Sequence, residues 1–251
     1  MTSLFPHSRS TLNWLVPDKP GYRVEWNEKA HGYDITVPQG QLFYSEDFFN
    51  KSWSDRTLEY LQECHDLDWR SIDWRSVPAD QFEKIHFKNI KWTQDYIKIY
   101  GKRLPLPRLT SWYGDPGAAY SYSGIKSEPN GWNEGLNFLR RKIEAAVGHR
   151  FNCVLLNWYR DGQDSLSWHA DDEPELGINP TIASANFGET RDFAIRRRDD
   201  PTTRITIPLM HGTLLVMGGE LQSHWQHSVP KRAKTKKSRF NLTFRYIETD
   251  L

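Results

Sequence analysis

The stretch Arg239-Phe240-Asn241-Leu242-Thr243-Phe244-Arg245 alternates polar and apolar residues at every step. That period of two belongs to a β-strand with one face in a core. Phe240, Leu242 and Phe244 fall on one face, and Arg239 and Arg245 fall together on the other. Working back from it, the chain from Phe151 reads as strands parted by turns. The candidates are Val154–Tyr159, Ser165–Asp171, Ile182–Phe187, Arg191–Arg198, Arg204–Leu209, Thr213–Met217, Trp225–Val229 and Arg239–Ile247. Asp161-Gly162, Asn179-Pro180, Asp200-Pro201, His211-Gly212 and Gly218-Gly219 supply the turns. Eight strands at this spacing predict a mainly β chain, a sandwich or jelly roll.

Upstream, Tyr22 to Tyr44 reads as short strands broken at Pro38-Gln39-Gly40. A helix is expected from Ser45 or Ser54 to Cys64, and a clearer one from Trp132 to Val147. In the second, Trp132, Leu136, Leu139, Ile143 and Val147 recur at helical spacing, Asn130 or Gly131 is the expected cap, and Gly148 the stop. The Trp-rich segment 67–92 has no regular pattern. Residues 1–20 read as a loose arm, 21–130 as an extension, and 131–251 as the core, with 21–130 and the core forming one compact unit.

The 251 residues carry 33 basic and 32 acidic side chains. The balance is uneven along the chain: residues 151–188 sum to −5 and residues 189–245 to +7. That pairing fits a cation site beside an anion-binding surface, and equally a solvated acidic loop. Aromatic residues reach 14%, with 11 Trp, which suits a heavy β core or a site that stacks planar ligands. No apolar run is long enough to cross a membrane, and the first residues lack a secretory pattern. Cys64 and Cys153 form no disulfide framework, which fits a reducing, intracellular setting.

In Ser167-Trp168-His169-Ala170-Asp171, His169 and Asp171 stand two apart. On one strand they would share a face, and His227 could add a third ligand from a later strand. Two histidines and one carboxylate leave open positions on an octahedral metal, the arrangement of non-haem Fe(II) oxygenases. Taken singly, His169 reads as well as a hydrogen-bonded core residue, and Asp171 as a turn residue in an acidic run. Zinc sites more often use a helical H-E-x-x-H, which is absent.

Further blocks join these: Pro107 to Gly114, Asn157 to Gly162, Trp168 to Pro174, His211 to Met217, and Trp225 to Pro230. With Arg239–Arg245, their order resembles the AlkB family of Fe(II)- and 2-oxoglutarate-dependent dioxygenases, from about Tyr44 to Ile247. The resemblance implies a double-stranded β-helix of jelly-roll type with flanking α-helices. It implies Fe(II) on His169, Asp171 and His227, and 2-oxoglutarate as cosubstrate. Arg239 would clamp its far carboxylate, Arg245 would sit near its iron-side end, and Asn157, Tyr159 and Thr243 would hydrogen-bond it. The implied reaction oxidises the N-alkyl carbon of a damaged base, of the 1-methyladenine or 3-methylcytosine type. It releases an aldehyde, succinate and CO2.

The same resemblance implies substrate-binding residues. Tyr120, Tyr122 and Ser123 would line the base pocket, and Asp172 and Glu173 would lie at its edge. Glu173 carries a charge suited to a cationic alkylated base. Tyr100-Gly101-Lys102 resembles a hairpin that wedges duplex DNA. The run Lys231 to Lys237, with Arg196, Arg197 and Arg198, is expected to meet phosphates. The implied partner is alkylated DNA, or RNA, bound by a monomer, in the nucleus of a eukaryote or the cytoplasm of a bacterium. Two readings stand beside it: an oxygenase of the same machinery acting on protein or a small molecule, and a non-catalytic nucleic-acid-binding module.

Overall fold

The computed structural model describes residues 16–99, 102–118, 120–122 and 125–248. Its strands are β1 (Arg23–Asn27), β2 (Gly32–Val37), β3 (Gly40–Ser45), β4 (Tyr96–Ile99), β5 (Lys102–Pro105), β6 (Leu109–Gly114), β7 (Tyr120–Tyr122), β8 (Ile125–Ser127) and β9 (Asn130–Gly131). They continue with β10 (Cys153–Tyr159), β11 (Leu166–His169), β12 (Ile182–Gly188), β13 (Arg191–Arg197), β14 (Arg204–Leu209), β15 (Leu214–Gly218), β16 (Trp225–Val229) and β17 (Arg239–Arg245). The helices are α1 (Lys51–Gln62), α2 (Glu134–Val147) and the short α3 (Leu221–His224). All eight strands expected after Phe151 are present, as β10 to β17.

Nine strands form the large sheet, in the order β1-β2-β3-β15-β12-β17-β10-β6-β9. Four form the small one, β11-β16-β13-β14. The two sheets enclose an apolar layer that includes Ile182, Phe193, Ile195, Ile207, Leu215 and Trp225. Facing sheets of this kind are the jelly-roll architecture. The extension is not separate from the core. β3 pairs with β15, and β6 pairs with β10, so strands from residues 21–130 are rungs of the same sheet.

β17 lies near the middle of the large sheet, between β12 and β10. Its two faces divide as the alternation predicts. Phe240, Leu242 and Phe244 join a second apolar cluster with Leu61 of α1 and Leu136, Leu139 and Ile143 of α2. Arg239, Asn241, Thr243 and Arg245 face the other way and line the cavity between the sheets.

Asparagines set where both long helices begin: α1 starts at Lys51, between the two expected starts, and α2 at Glu134, two residues later than expected. The Asn50 side chain accepts from Trp53 N, and the Asn133 side chain from Leu136 N. Gly148 closes α2 in the left-handed region at φ 69°. The segment 67–92 finds its order in packing rather than in periodicity. Trp74, Phe82, Phe87 and Trp92 ring the buried Trp158 of β10 edge-on, at 4.9, 5.7, 5.8 and 5.4 Å. Aromatic edges meeting a face is the favoured geometry for such clusters. Residues 1–15 of the expected arm lie outside the described residues, and Val16 packs against the inter-sheet core.

Candidate metal centre and cosubstrate pocket

His169, Asp171 and His227 offer ligand atoms that all lie within 4.8 Å of one another. They do not reach that position as one strand face. β11 ends at His169, after a register irregularity against β16, and Asp171 stands beyond it. The backbone N–H of Asp171 donates instead to Gln222 Oε1 of α3, at 3.0 Å. So the expected strand Ser165–Asp171 is corrected: a break in the ladder, fixed by a side chain, turns the carboxylate inward.

The protonation states suit a cation. His169 Nδ1 donates to Ser167 O at 2.9 Å, which turns Nε2 toward Asp171, 3.7 Å from Oδ1. Burial and the neighbouring His169 push His227 down to about 3, so its imidazole is neutral. Phe193 stacks on it at 5.1 Å and fixes the ring. Burial would raise the Asp171 carboxyl, but the Arg245 guanidinium beside it outweighs that and holds it below the usual carboxylate range. Arg245 Nη2 donates to Asp171 Oδ2 at 2.8 Å. Asp171 Oδ1 is buried and accepts no hydrogen bond.

At the far end of the cavity, Arg239 is 2% exposed. Its Nη2 donates to Asn186 Oδ1 at 2.6 Å, and its guanidinium lies over the Tyr159 ring, 5.0 Å from the centroid. Nε and Nη1 have no hydrogen-bond partner among the described residues. Burial pushes this guanidinium down to about 10, still fully charged at neutral pH. A buried cation with two idle donors and no carboxylate beside it is built to receive an anion.

Polar side chains line the space between. Asn157 Nδ2 donates to Asn241 Oδ1 at 3.4 Å, and Thr243 Oγ1 donates to the same oxygen at 2.9 Å. Asn241 Nδ2 donates to Ser184 Oγ at 2.8 Å. Arg108, 2% exposed, donates from Nε to Asn157 Oδ1 at 2.8 Å. The sequence pattern alone assigned no role to Arg108, Ser184, Asn186, Asn241 or Gln222. The signal for Asn241 was available, since it lies between Arg239 and Thr243 on the same face. Ser184 and Asn186 repeat that spacing on β12.

Residues 77–245 match the 2OG-Fe(II) oxygenase superfamily. The chain is 34% identical to DNA oxidative demethylase ALKBH2 of Mus musculus over 207 residues, covering 72% of this chain and 86% of that protein. This chain belongs to the AlkB family of that superfamily. It is 48% identical to alpha-ketoglutarate-dependent dioxygenase alkB homolog 3 of Rattus norvegicus over 193 residues, 73% of this chain. It spans 62% of that relative's length. The solved structure of OsALKBH1 shares the fold at 13% identity, with a TM-score of 0.54, covering 89% of this chain and all of that one.

The pocket of this AlkB-family chain fits the family's Fe(II) and 2-oxoglutarate. Two imidazoles and a carboxylate converging on one point suit Fe(II), and the idle donors of Arg239 suit a carboxylate. The match begins at residue 77, so the later part of the Trp-rich segment 67–92 falls within it. The substrate-side residues are less gathered. Asp172 is exposed and bound to Arg198 at 2.5 Å, and Glu173 is half-buried at the start of a 3-10 turn, Pro174–Leu176. Tyr120 pairs with Ser127 and Tyr122 with Ile125 in the hairpin β7–β8, and Lys102 pairs with Ile99. Tyr100, Gly101 and Ser123 lie outside the described residues.

The basic run 231–237 flanks the Arg239 end. It folds onto the loop after β10, with Arg232 N donating to Gly162 O at 2.7 Å and Gly162 N to Thr235 O at 3.0 Å. Arg232 is paired with Asp192. The expected extension of this surface through Arg196, Arg197 and Arg198 is already engaged, with Gln226, Asp199 and Asp172. Among the described residues, no helix is long and apolar enough to cross a membrane.

Proposed function

We propose that this chain is an oxidative dealkylase of N-alkylated bases, of the 1-methyladenine and 3-methylcytosine type, in DNA or RNA. The observation that carries the reading is the pairing, in one cavity, of a two-histidine, one-carboxylate set with a buried arginine whose Nε and Nη1 are idle. His169, Asp171 and His227 would hold Fe(II). Arg239 would grip the distal carboxylate of 2-oxoglutarate, with Asn157, Tyr159 and Thr243 along its length. Bound iron and 2-oxoglutarate supply the oxidation of the N-alkyl carbon by O2, with succinate and CO2 as co-products.

The chain's own residues do the rest. Arg245 keeps Asp171 ionised and aimed, and Phe193 holds the His227 ring. Tyr120, Tyr122 and Ser123 would enclose an extruded base, with Asp172 and Glu173 at its edge. Such a base must leave the stack to reach a cavity this deep. Glu173 suits the positive charge of an N1- or N3-alkylated ring. Tyr100, Gly101 and Lys102 would act as the wedge. The demethylase named among the relatives supports the substrate class. Residues 21–248 would form one compact catalytic unit, working as a monomer inside the cell. Two free, buried cysteines support a reducing compartment.

Mass spectrometry of oligonucleotides with one methylated base tests the reading. Each turnover should remove one methylene unit and require added 2-oxoglutarate. Consumption of 2-oxoglutarate with every oligonucleotide left intact would transfer the chain to a protein or small-molecule substrate.

A further inference from the structure

A second cavity opens at the Arg239 end of the large sheet, with a volume of about 470 Å³. None of His169, Asp171 and His227 lines it. Five cationic side chains do (Arg70, Arg75, Arg160, Lys236 and Lys237), against the carboxylates Asp55, Asp73 and Glu189. Most of these charges are already paired. Arg75 is held by Asp73 at 2.6 Å, Arg160 by Asp164 at 2.7 Å, and Asp55 by Lys51 at 2.5 Å. Lys236 and Lys237 are not, since among the described residues neither has a carboxylate partner. Both come from the basic run. Beside them is a planar platform: the Arg70 guanidinium lies 4.5 Å over the Trp69 ring. Glu59 holds that guanidinium in place at 3.0 Å.

Aromatic and guanidinium planes next to lysines without carboxylate partners are the means by which proteins hold single-stranded nucleic acid. We infer that this cavity is a second nucleotide subsite: it takes an unpaired nucleotide of the substrate strand, its base on the Arg70–Trp69 platform and its phosphates on Lys236 and Lys237. The inference deepens the nucleic-acid reading above and rests on it. Six residues of β17 separate the Arg239 end from the Arg245 end at the metal, roughly 20 Å of strand. At the stacked rise of about 3.4 Å that is on the order of six nucleotides from the lesion. The subsite would therefore favour longer strands over short ones without touching the chemistry.

The test uses the full chain with Fe(II) and 2-oxoglutarate, and single-stranded oligonucleotides carrying one 1-methyladenine with flanks of about two or about ten nucleotides. The unaltered chain should show kcat/KM about fivefold or more higher on the long substrate. Trp69→Leu should abolish that advantage and leave the short substrate unchanged, while Lys236→Ala with Lys237→Ala should lower kcat/KM on the long substrate more than on the short one. In the unaltered chain, 5-iodouracil placed about six positions from the lesion should photocrosslink to the peptide bearing Trp69, a readout independent of how the variants fold. A length advantage that survives Trp69→Leu, or crosslinks only elsewhere, overturns the subsite and leaves the lysines as plain phosphate contacts. Absence of any length advantage overturns it too, with the dealkylase reading intact. Demethylation of neither length sinks both.

Discussion

Two buried arginines on one strand make opposite demands. Arg245 neutralises Asp171, and its removal leaves a carboxylate buried without its partner. Arg245→Met should lower the stability of the metal-free chain by about 3–5 kcal/mol. Arg239 has no carboxylate beside it and two idle donors. Arg239→Met should leave the metal-free chain equally stable or raise its Tm, while weakening 2-oxoglutarate binding at least about tenfold. Thermal melts and anaerobic calorimetry would read the two effects separately, and a fall in Tm for Arg239→Met would contradict the anion-clamp role. The thiols give a second residue-scale outcome. Burial pushes Cys64 up to about 11 and Cys153 up to about 12. The thiolate is the reactive form and is scarce well below those values. At pH 8 the folded chain should give no rapid reaction with Ellman's reagent, and the unfolded chain two equivalents.

At the scale of elements, β10 works like β17: Asn157 and Tyr159 face the pocket, and Trp158 faces the helices. Trp158→Ala should cost about 3–5 kcal/mol, read by urea denaturation, because five aromatic rings lose their common partner. The loop after β10 fixes the basic run through Gly162. A Cβ there would stand 1.7 Å from Arg232 O, so Gly162→Ala must displace the run. Oligonucleotide affinity should fall about threefold to tenfold while 2-oxoglutarate affinity holds, as titrations of each would show. Strands of this sort were legible because period-two patterning survives in a single sequence. Two features were not. Segment 67–92 has no period of its own, since its order comes from rings gathered about Trp158. The exit of Asp171 from β11 depends on Gln222, 51 positions away, and no local pattern encodes that.

For the whole molecule, the uneven charge along the chain becomes a spatial division. The acidic stretch supplies Asp171 and the loop after it, and the basic stretch supplies both arginines and the run at the far end. Lys231, Lys234, Lys236 and Lys237 keep their charge exposed, while Arg232 is tied to Asp192. Replacing the four lysines by Ser should flatten the dependence of oligonucleotide affinity on salt, by about 0.7 in log–log slope for each phosphate that is no longer neutralised. Arg232→Ser should change it less. Equal slopes for all the variants would remove the run from the binding surface. The structure gathers His169, Asp171 and His227, and it lines the same cavity with Arg239 and Arg245, as the sequence pattern leads one to expect. Arg108 and Asn186 stayed hidden because their partners meet them only across the sheet.

β17 also sets whether the cavity exists at all. Its seven residues bring a buried arginine with two idle donors, the brace on Asp171 and three apolar anchors together. A nascent polypeptide lacking them has its imidazoles and carboxylate but no closed cavity. One strand therefore couples the closing of the inter-sheet cavity to the packing of both long helices.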